Sequence, residues 1–222
     1  MHSRLAAALR QRDDFLTDQR PVLTPDLLLA AYRVGVFPMA DLDGEIGWYA
    51  PDPRAVLPLD AFHVPKTLAK TVRRETFEVV CDRDFEGTIR ACAAPAPGRE
   101  ETWISEEVVE AYVALHERGY AHSVECWREG RFAGGLYGVA LRGVFFGESM
   151  VTRERDASKV ALVHLVERLR AGGFRLLDTQ MSTPHLVRFG VVEIPQAEFE
   201  RRLAAALAVD ADWDAIDRSA LG

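Results

Sequence analysis

The sequence predicts an α+β fold, a mixed sheet flanked by helices, and three observations lead there. The first is a run of three strand signals joined by tight turns. Residues 123–127 alternate around Val124, turn at Arg128-Glu129-Gly130 and return over residues 132–141 as a hairpin. Arg142-Gly143 then sends the chain back through Val144-Phe145-Phe146. The second is a helix directly after them. Asp156 or Ser158 is placed to accept from its first free amides, Leu162, Leu165, Val166 and Leu169 form one apolar stripe, and Gly172-Gly173 ends it. The third is a return to strand, helix and strand: Phe174-Arg175-Leu176-Leu177, then Thr183-Pro184-His185-Leu186 closed by Gly190, then residues 191–194. That order is of the acetyltransferase-like (GNAT-type) kind.

The remaining elements follow in chain order. Residues 4–15 read as a first helix, charged throughout. Thr24-Pro25-Asp26 supplies a cap, a first-turn proline and a favourable acid for a helix over residues 27–34 that Gly35 stops. After Gly35-Val36-Phe37-Pro38 and an acidic turn at 41–45 comes Trp48-Tyr49-Ala50-Pro51-Asp52-Pro53-Arg54, where two prolines call for a rigid loop. In that loop Trp48 and Tyr49 either plug a core, with Asp52 pairing Arg54, or present aromatic faces to a base. Residues 65–75 form a helix with Lys66, Lys70, Arg73 and Arg74 near one face and Leu68 and Val72 opposite. A strand over 76–81 and a helix over 85–92 follow. After a loop at 93–98, Ser105 caps a helix with Glu106 and Glu107 in its first turn and Val108, Tyr112 and Leu115 inward. A last helix spans 196–207, and Trp213 is the anchor of an acidic, alanine-rich tail. The expected division is a small N-terminal α/β domain, residues 1–60, and a larger domain, residues 61–222.

Composition narrows the function classes. With 48% hydrophobic and 27% charged residues the chain is an ordinary globular one. No apolar run approaches the roughly 20 residues that span a bilayer, and residues 4–15 lack the apolar centre of a signal peptide. The expectation is a soluble cytoplasmic protein without a membrane partner. Cys81, Cys92 and Cys126 are odd in number and not spaced as metal ligands, which fits buried thiols in a reducing compartment. A net charge of −7 excludes a protein that coats polyanions with its whole surface, so the stripe at 66–74 is the best local candidate for phosphate contact.

Polar residues at strand ends mark the candidate site. Glu148 follows Phe145-Phe146-Gly147, and Asp178 and Gln180 follow Leu176-Leu177, so carboxylates stand where buried strands emerge. Two residues apart on a strand, Asp178 and Gln180 leave on one face. A coenzyme-A enzyme would open its central helix with a glycine-rich turn for the pyrophosphate, but residues 149–159 contain no glycine, which points to another acyl donor.

Several ordered blocks carry a resemblance. They are Tyr32-Arg33 with Gly35-Val36-Phe37-Pro38, Pro51-Asp52-Pro53-Arg54, Thr102-Trp103-Ile104, Val108-Val109-Glu110-Ala111-Tyr112 and Ala121-His122-Ser123-Val124-Glu125. Further on stand Gly134-Gly135-Leu136-Tyr137-Gly138, Phe146-Gly147-Glu148-Ser149-Met150, Ala157-Ser158-Lys159, Asp178 with Gln180, and Glu193-Ile194-Pro195. In these the chain resembles the leucyl/phenylalanyl-tRNA–protein transferase family over residues 27–199. It departs at Trp48-Tyr49-Ala50, where the family has two tryptophans and a serine, and at Arg20-Pro21-Val22-Leu23.

The resemblance implies an acetyltransferase-like fold with a small N-terminal domain. It implies transfer of Leu or Phe, less well Met, from charged tRNA to the α-amine of proteins beginning with Arg or Lys, giving an N-terminus that marks them for degradation. The reaction is aminolysis of an ester, and an α-amine with a pKa of about 8 is partly neutral at pH 7. Asp178 is then the candidate that orients the amine and takes its proton, with Gln180 beside it. Glu148 falls in the same pocket and binds either the donor's amine or the acceptor's cation. The donor side-chain pocket maps to Leu136, Phe145, Met150, Leu162, Leu165, Leu169 and Leu177. Such a pocket rejects a side chain one methylene short by only ~1–3 kcal/mol. Trp48, Tyr49 and Trp103 are candidates for the terminal adenosine, and Lys66, Lys70, Arg73, Arg74, Arg153, Arg155 and Lys159 for tRNA phosphates. No metal or other cofactor is expected, because aminolysis of an activated ester needs none. Three other readings stay open: a coenzyme-A-dependent N-acetyltransferase, an aminoacyltransferase for a cell-wall precursor peptide, and a non-catalytic tRNA-binding module.

Overall fold

Capping chemistry sets where the helices begin. The computed structural model describes residues 22–41, 43, 45–95 and 102–219; the helix expected at 4–15 lies outside them. Thr24 Oγ1 accepts from the Leu27 amide at 3.3 Å, so α1 (Pro25–Arg33) starts there with Pro25 in its first turn. Gly35, at φ +75°, ends it; any Cβ there would meet the Phe199 ring at 2.8 Å. A two-stranded hairpin follows, β1 (Phe37–Ala40) with β2 (Ile46–Tyr49). Trp48 and Tyr49 therefore end a strand, and the rigid loop expected across them is only residues 50–53.

Next come β3 (Arg54–Leu57), α2 (Lys66–Arg73), β4 (Glu78–Cys81) and α3 (Phe85–Ala93), the last capped by Asp84. Ser105 caps α4 (Glu106–Glu117). Then follow β5 (Ala121–Arg128), β6 (Arg131–Leu141), β7 (Val144–Thr152), α5 (Ala157–Ala171), β8 (Leu176–Gln180), α6 (Pro184–Val187), β9 (Val192–Ile194) and α7 (Gln196–Leu207). A final short α8 (Ala215–Ser219), which the sequence did not announce, is held by the Arg168–Asp217 ion pair at 2.6 Å. Neither expected cap serves α5. Asp156 stands at the cap position with φ +69°, but its carboxylate accepts from Lys159 Nζ at 2.6 Å, and Ser158 Oγ meets the Thr152 hydroxyl.

Seven strands form one mixed sheet in the order β4-β5-β6-β7-β8-β3-β9, antiparallel throughout except for β7 with β8. Strand alternation divides the interior in two. Val144, Phe146 and Leu176 face one core, shared with α1, α3, α4 and α7. Phe145 and Leu177 face the other, shared with α2 and α5, where burying each of Leu162, Leu165 and Leu169 contributes roughly 1.5–3 kcal/mol. The four buried residues of β3 lie between β8 and β9. The division drawn at residue 60 thus puts with the N-terminal part a strand that is internal to the large sheet.

Candidate active site

The site exists because β7 and β8 part company. Their parallel pairing covers only Val144–Phe146 against Leu176–Asp178. Beyond it β7 stays with β6, β8 stays with β3, and a gap opens between them. Each strand has a bulge at that point. On β7, Gly147 faces Gly138 and Ser149 faces Tyr137, which leaves Glu148 as the extra residue. On β8, Asp178 faces Val56 and Gln180 faces Ala55, which leaves Thr179 as the extra one. Bulges re-aim side chains. Glu148 is therefore not at a strand end, as the sequence suggests, but inside a strand that runs on to Thr152. Asp178 and Gln180 take different side-chain partners: Asp178 pairs with Arg54, and the Gln180 side chain reaches Glu148. Gln180 completes the turn with φ +62°, a strained conformation for a residue with a side chain.

Glu148 collects three donors. Tyr32 Oη donates to Oε1 at 2.7 Å, Gln180 Nε2 to Oε1 at 2.9 Å, and Tyr112 Oη to Oε2 at 3.2 Å, while the two phenols also touch each other. Burial pushes the Glu148 carboxyl up to about 7, with a smaller push from the Asp178 charge, and the three donors pull against it. Both tyrosines are fully buried, and burial raises their pKa well above the ordinary value, so they remain donors. Such a carboxyl exchanges a proton near neutral pH, as an acid–base group must.

Asp178 sits in a different world. It is fully buried, as is its partner Arg54, whose Nε and Nη2 donate to the two carboxylate oxygens at 3.0 and 2.6 Å. Arg54 Nη1 donates to the Gly35 carbonyl at 3.0 Å, and the guanidinium lies over Phe199 and Phe37 at 4.4 and 4.9 Å. The remaining tie is the Gln180 backbone amide, which donates to Asp178 Oδ1 at 2.8 Å. Asp178 thus holds the backbone of Gln180 rather than facing the gap. The alternative pairing of Arg54 with Asp52 does not form; Asp52 accepts from the Gln196 amide at 3.2 Å.

The gap leads into a cavity of about 500 Å³ whose wall includes Glu148, Ser149, Thr179 and Gln180 at one end. Of the residues expected to form a donor pocket, Leu136, Met150, Leu162, Leu165 and Leu177 line it, whereas Phe145 and Leu169 are fully buried and do not. Trp103 lines it together with Met39; Trp48 and Tyr49 do not, and Tyr49 instead stacks on Phe37 at 6.2 Å. Asp178 is not in the wall. Among the described residues no three His, Cys, Asp or Glu side chains converge to hold a metal.

Comparison with known proteins now bears on this geometry. Residues 56–204 match the family described as leucyl/phenylalanyl-tRNA protein transferase, and residues 22–52 match the N-terminal domain of the same family. The chain belongs to the leucyl/phenylalanyl-tRNA protein transferase family. Members bearing that name include a protein of Salinibacter ruber, 62% identical over 86% of this chain and 83% of its own length. Another is from Rubrobacter xylanophilus, 61% identical over 85% of this chain and 97% of its own. Among solved structures, L-PGS from Bacillus licheniformis superposes with a TM-score of 0.41 at 14% identity, covering 69% of this chain and 56% of that one.

For a transferase of this family the basic residues divide in two. Lys66, Lys70, Arg73 and Arg74 are exposed on α2 and its end, opposite the buried Leu68, and pair with no carboxylate among the described residues. Arg155 and Lys159 are already engaged with Asp156, and Arg153 lies over the Phe132 ring at 5.2 Å. Residues of the site that sequence reasoning left out are Tyr32, Tyr112 and Arg54. Tyr112 reads as helix core by its spacing, and the only signal for a site role of either tyrosine was membership in the resembling blocks. Among the described residues no helix is long and apolar enough to cross a membrane.

Proposed function

We propose that this chain moves Leu or Phe, and less well Met, from charged tRNA to the α-amine of proteins that begin with Arg or Lys, leaving an N-terminus that destabilises them. Glu148, with its pKa near 7 and three donors, at the head of an apolar cavity between parted strands, carries this reading. The donor's side chain enters among Leu136, Met150, Leu162, Leu165 and Leu177, and its terminal adenosine lies toward Trp103 and Met39. The acceptor amine meets Glu148 and the Gln180 carbonyl. Its nitrogen bonds to the ester carbon, the carbonyl electrons move to oxygen, and collapse expels the ribose 3′ oxygen. That oxygen leaves with the proton the amine gives up, passed through Glu148. Asp178 acts as a positioning residue: with Arg54 it holds the strained Gln180 in place.

Membership of the family supports this reading, and so does the charge on α2, which suits an acceptor stem. The sheet, split at its one parallel pair, supports an acetyltransferase-like fold, and the two family matches support a small N-terminal unit that ends before β3. A charged-tRNA donor supports a cytoplasmic setting for the reaction.

The test is transfer of labelled Leu or Phe from charged tRNA to peptides differing only in their first residue. Wild type is expected to modify peptides starting with Arg or Lys, with a rate that rises through pH 7 as Glu148 ionises. Glu148→Gln is expected to lose at least about 100-fold in kcat, the scale of general acid–base assistance. Transfer by the variant at the wild-type rate removes Glu148 from the chemistry, and no transfer by wild type to any peptide removes the transferase reading.

A further inference from the structure

Among the described residues, five buried side-chain polar atoms lack a hydrogen-bond partner, and three of the five belong to residues in the wall of one cavity: Tyr137 Oη, Thr179 Oγ1 and His185 Nε2. Native interiors rarely leave such groups unpaired, so a concentration around one cavity calls for an explanation in what the cavity receives. Their positions differ. Tyr137 is fully buried and packs its ring edge-on against Tyr112 at 5.7 Å, with no exposed surface of its own. His185 is partly buried and feels the charges of Lys159, Arg188 and Asp156. Thr179 alone stands at the reacting end, as the bulged residue between Asp178 and Gln180.

The hydrogen-bonding inventory of that end is lopsided. Glu148 accepts three bonds, which leaves about one lone-pair site on its carboxylate for an amine. Gln180 gives its Nε2 to Glu148, and its Oε1 accepts from no group among the described residues. Both are acceptors suited to an attacking amine. Aminolysis also places negative charge on the ester oxygen, which needs a donor. The Gln180 amide is given to Asp178, the Met181 amide to the Thr179 carbonyl, and the two phenols to Glu148. A second Nε2 hydrogen of Gln180 and the Ser149 hydroxyl are also uncommitted among the described residues, but at this end only the Thr179 oxygen is both buried and without a partner.

We propose that Thr179 is a catalytic residue whose hydroxyl donates to the ester carbonyl oxygen of the donor as it becomes an oxyanion. This rests on the aminolysis reading above. The amine nitrogen bonds to the ester carbon, the carbonyl electron pair settles on the oxygen facing Thr179, and the pair returns as the ribose 3′ oxygen departs with the amine's proton. Thr179 keeps its own proton throughout. Its hydroxyl is buried without a partner, and rotation about χ1 exchanges it with the methyl group that shares its carbon. A polar group left unsatisfied until substrate arrives disfavours the fold but is available to the transition state.

That trade gives the test. Thr179→Val keeps the shape and strand preference and removes only the hydroxyl. The expected result is a kcat lower by on the order of 100-fold, the scale of one oxyanion donor, with an unchanged KM for charged tRNA. The thermal midpoint is expected to be no lower than that of wild type, because an orphan hydroxyl has been replaced by a methyl group. Thr179→Ser is expected to keep most of the rate. A valine variant with wild-type kcat, a loss confined to KM, or a loss matched by destabilisation would overturn the assignment. Wild-type transfer serves as the control: if it is present, a neutral Thr179→Val result sinks this assignment alone, and if it is absent, the transferase reading falls first.

Discussion

Two carboxylates lie within a few residues of one gap and are handled in opposite ways. Asp178 is sealed: Arg54 takes both its oxygens, the pair is fully buried, and the guanidinium lies against the Phe37 and Phe199 rings. Glu148 is open: its three partners are neutral, the cavity lies in front of it, and its pKa has climbed to about 7. Burial with only neutral donors around it raises the Glu148 carboxyl, and that leaves it able to take or release a proton near neutral pH. The comparison teaches that an acid at the end of a strand need not be the one that faces the cavity.

The difference can be broken from either side. The largest effect is expected at the sealed acid. Arg54→Met strands the Asp178 charge in the core and is expected to cost about 3–5 kcal/mol in urea unfolding, most of it recovered in the double variant with Asp178→Leu. A loss below about 1 kcal/mol would mean that the pair is not the clamp it looks to be.

Next comes the open acid, read through stability. A carboxyl raised from its ordinary 4.5 to about 7 in the fold favours folding below 4.5, and this contribution is lost as pH rises to 7. Wild type should therefore lose up to about 3 kcal/mol across that window from this group, and Glu148→Gln should lack that part of the decline. Parallel stability profiles for the two proteins would show that burial does not raise Glu148.

The smallest effect is expected at its support. Tyr112→Phe removes a bond that lowers the Glu148 pKa, so the midpoint of the rate–pH curve should move upward, with a stability change of about 1 kcal/mol. A downward movement would reverse the sign of the argument.

Much of this molecule was legible from local chemistry. Thr24, Ser105 and Gly35 mark their helix ends because a side-chain oxygen or a missing Cβ acts within one turn of where it stands. The stripe of Leu162, Leu165 and Leu169 needed only the helical period. The cap of α5 misled, because Asp156 has Lys159 within reach and prefers the ion pair. The site was legible by residue but not by arrangement. Glu148, Gln180, Trp103 and five of the seven pocket residues do meet at the cavity, while Phe145 and Leu169 do not line it and Asp178 is turned away.

By itself the sequence determined which segments become strands and helices, which residues seek the interior, and which family the chain resembles, since all of these depend on neighbours a few positions apart or on the order of the blocks. Only the tertiary structure decided that Arg54 meets Asp178 across 124 positions and that Tyr32 meets Glu148 across 116. Two bulges also decided it, by changing which face a side chain takes, and a strand's period of two carries no mark of where one residue too many will be placed.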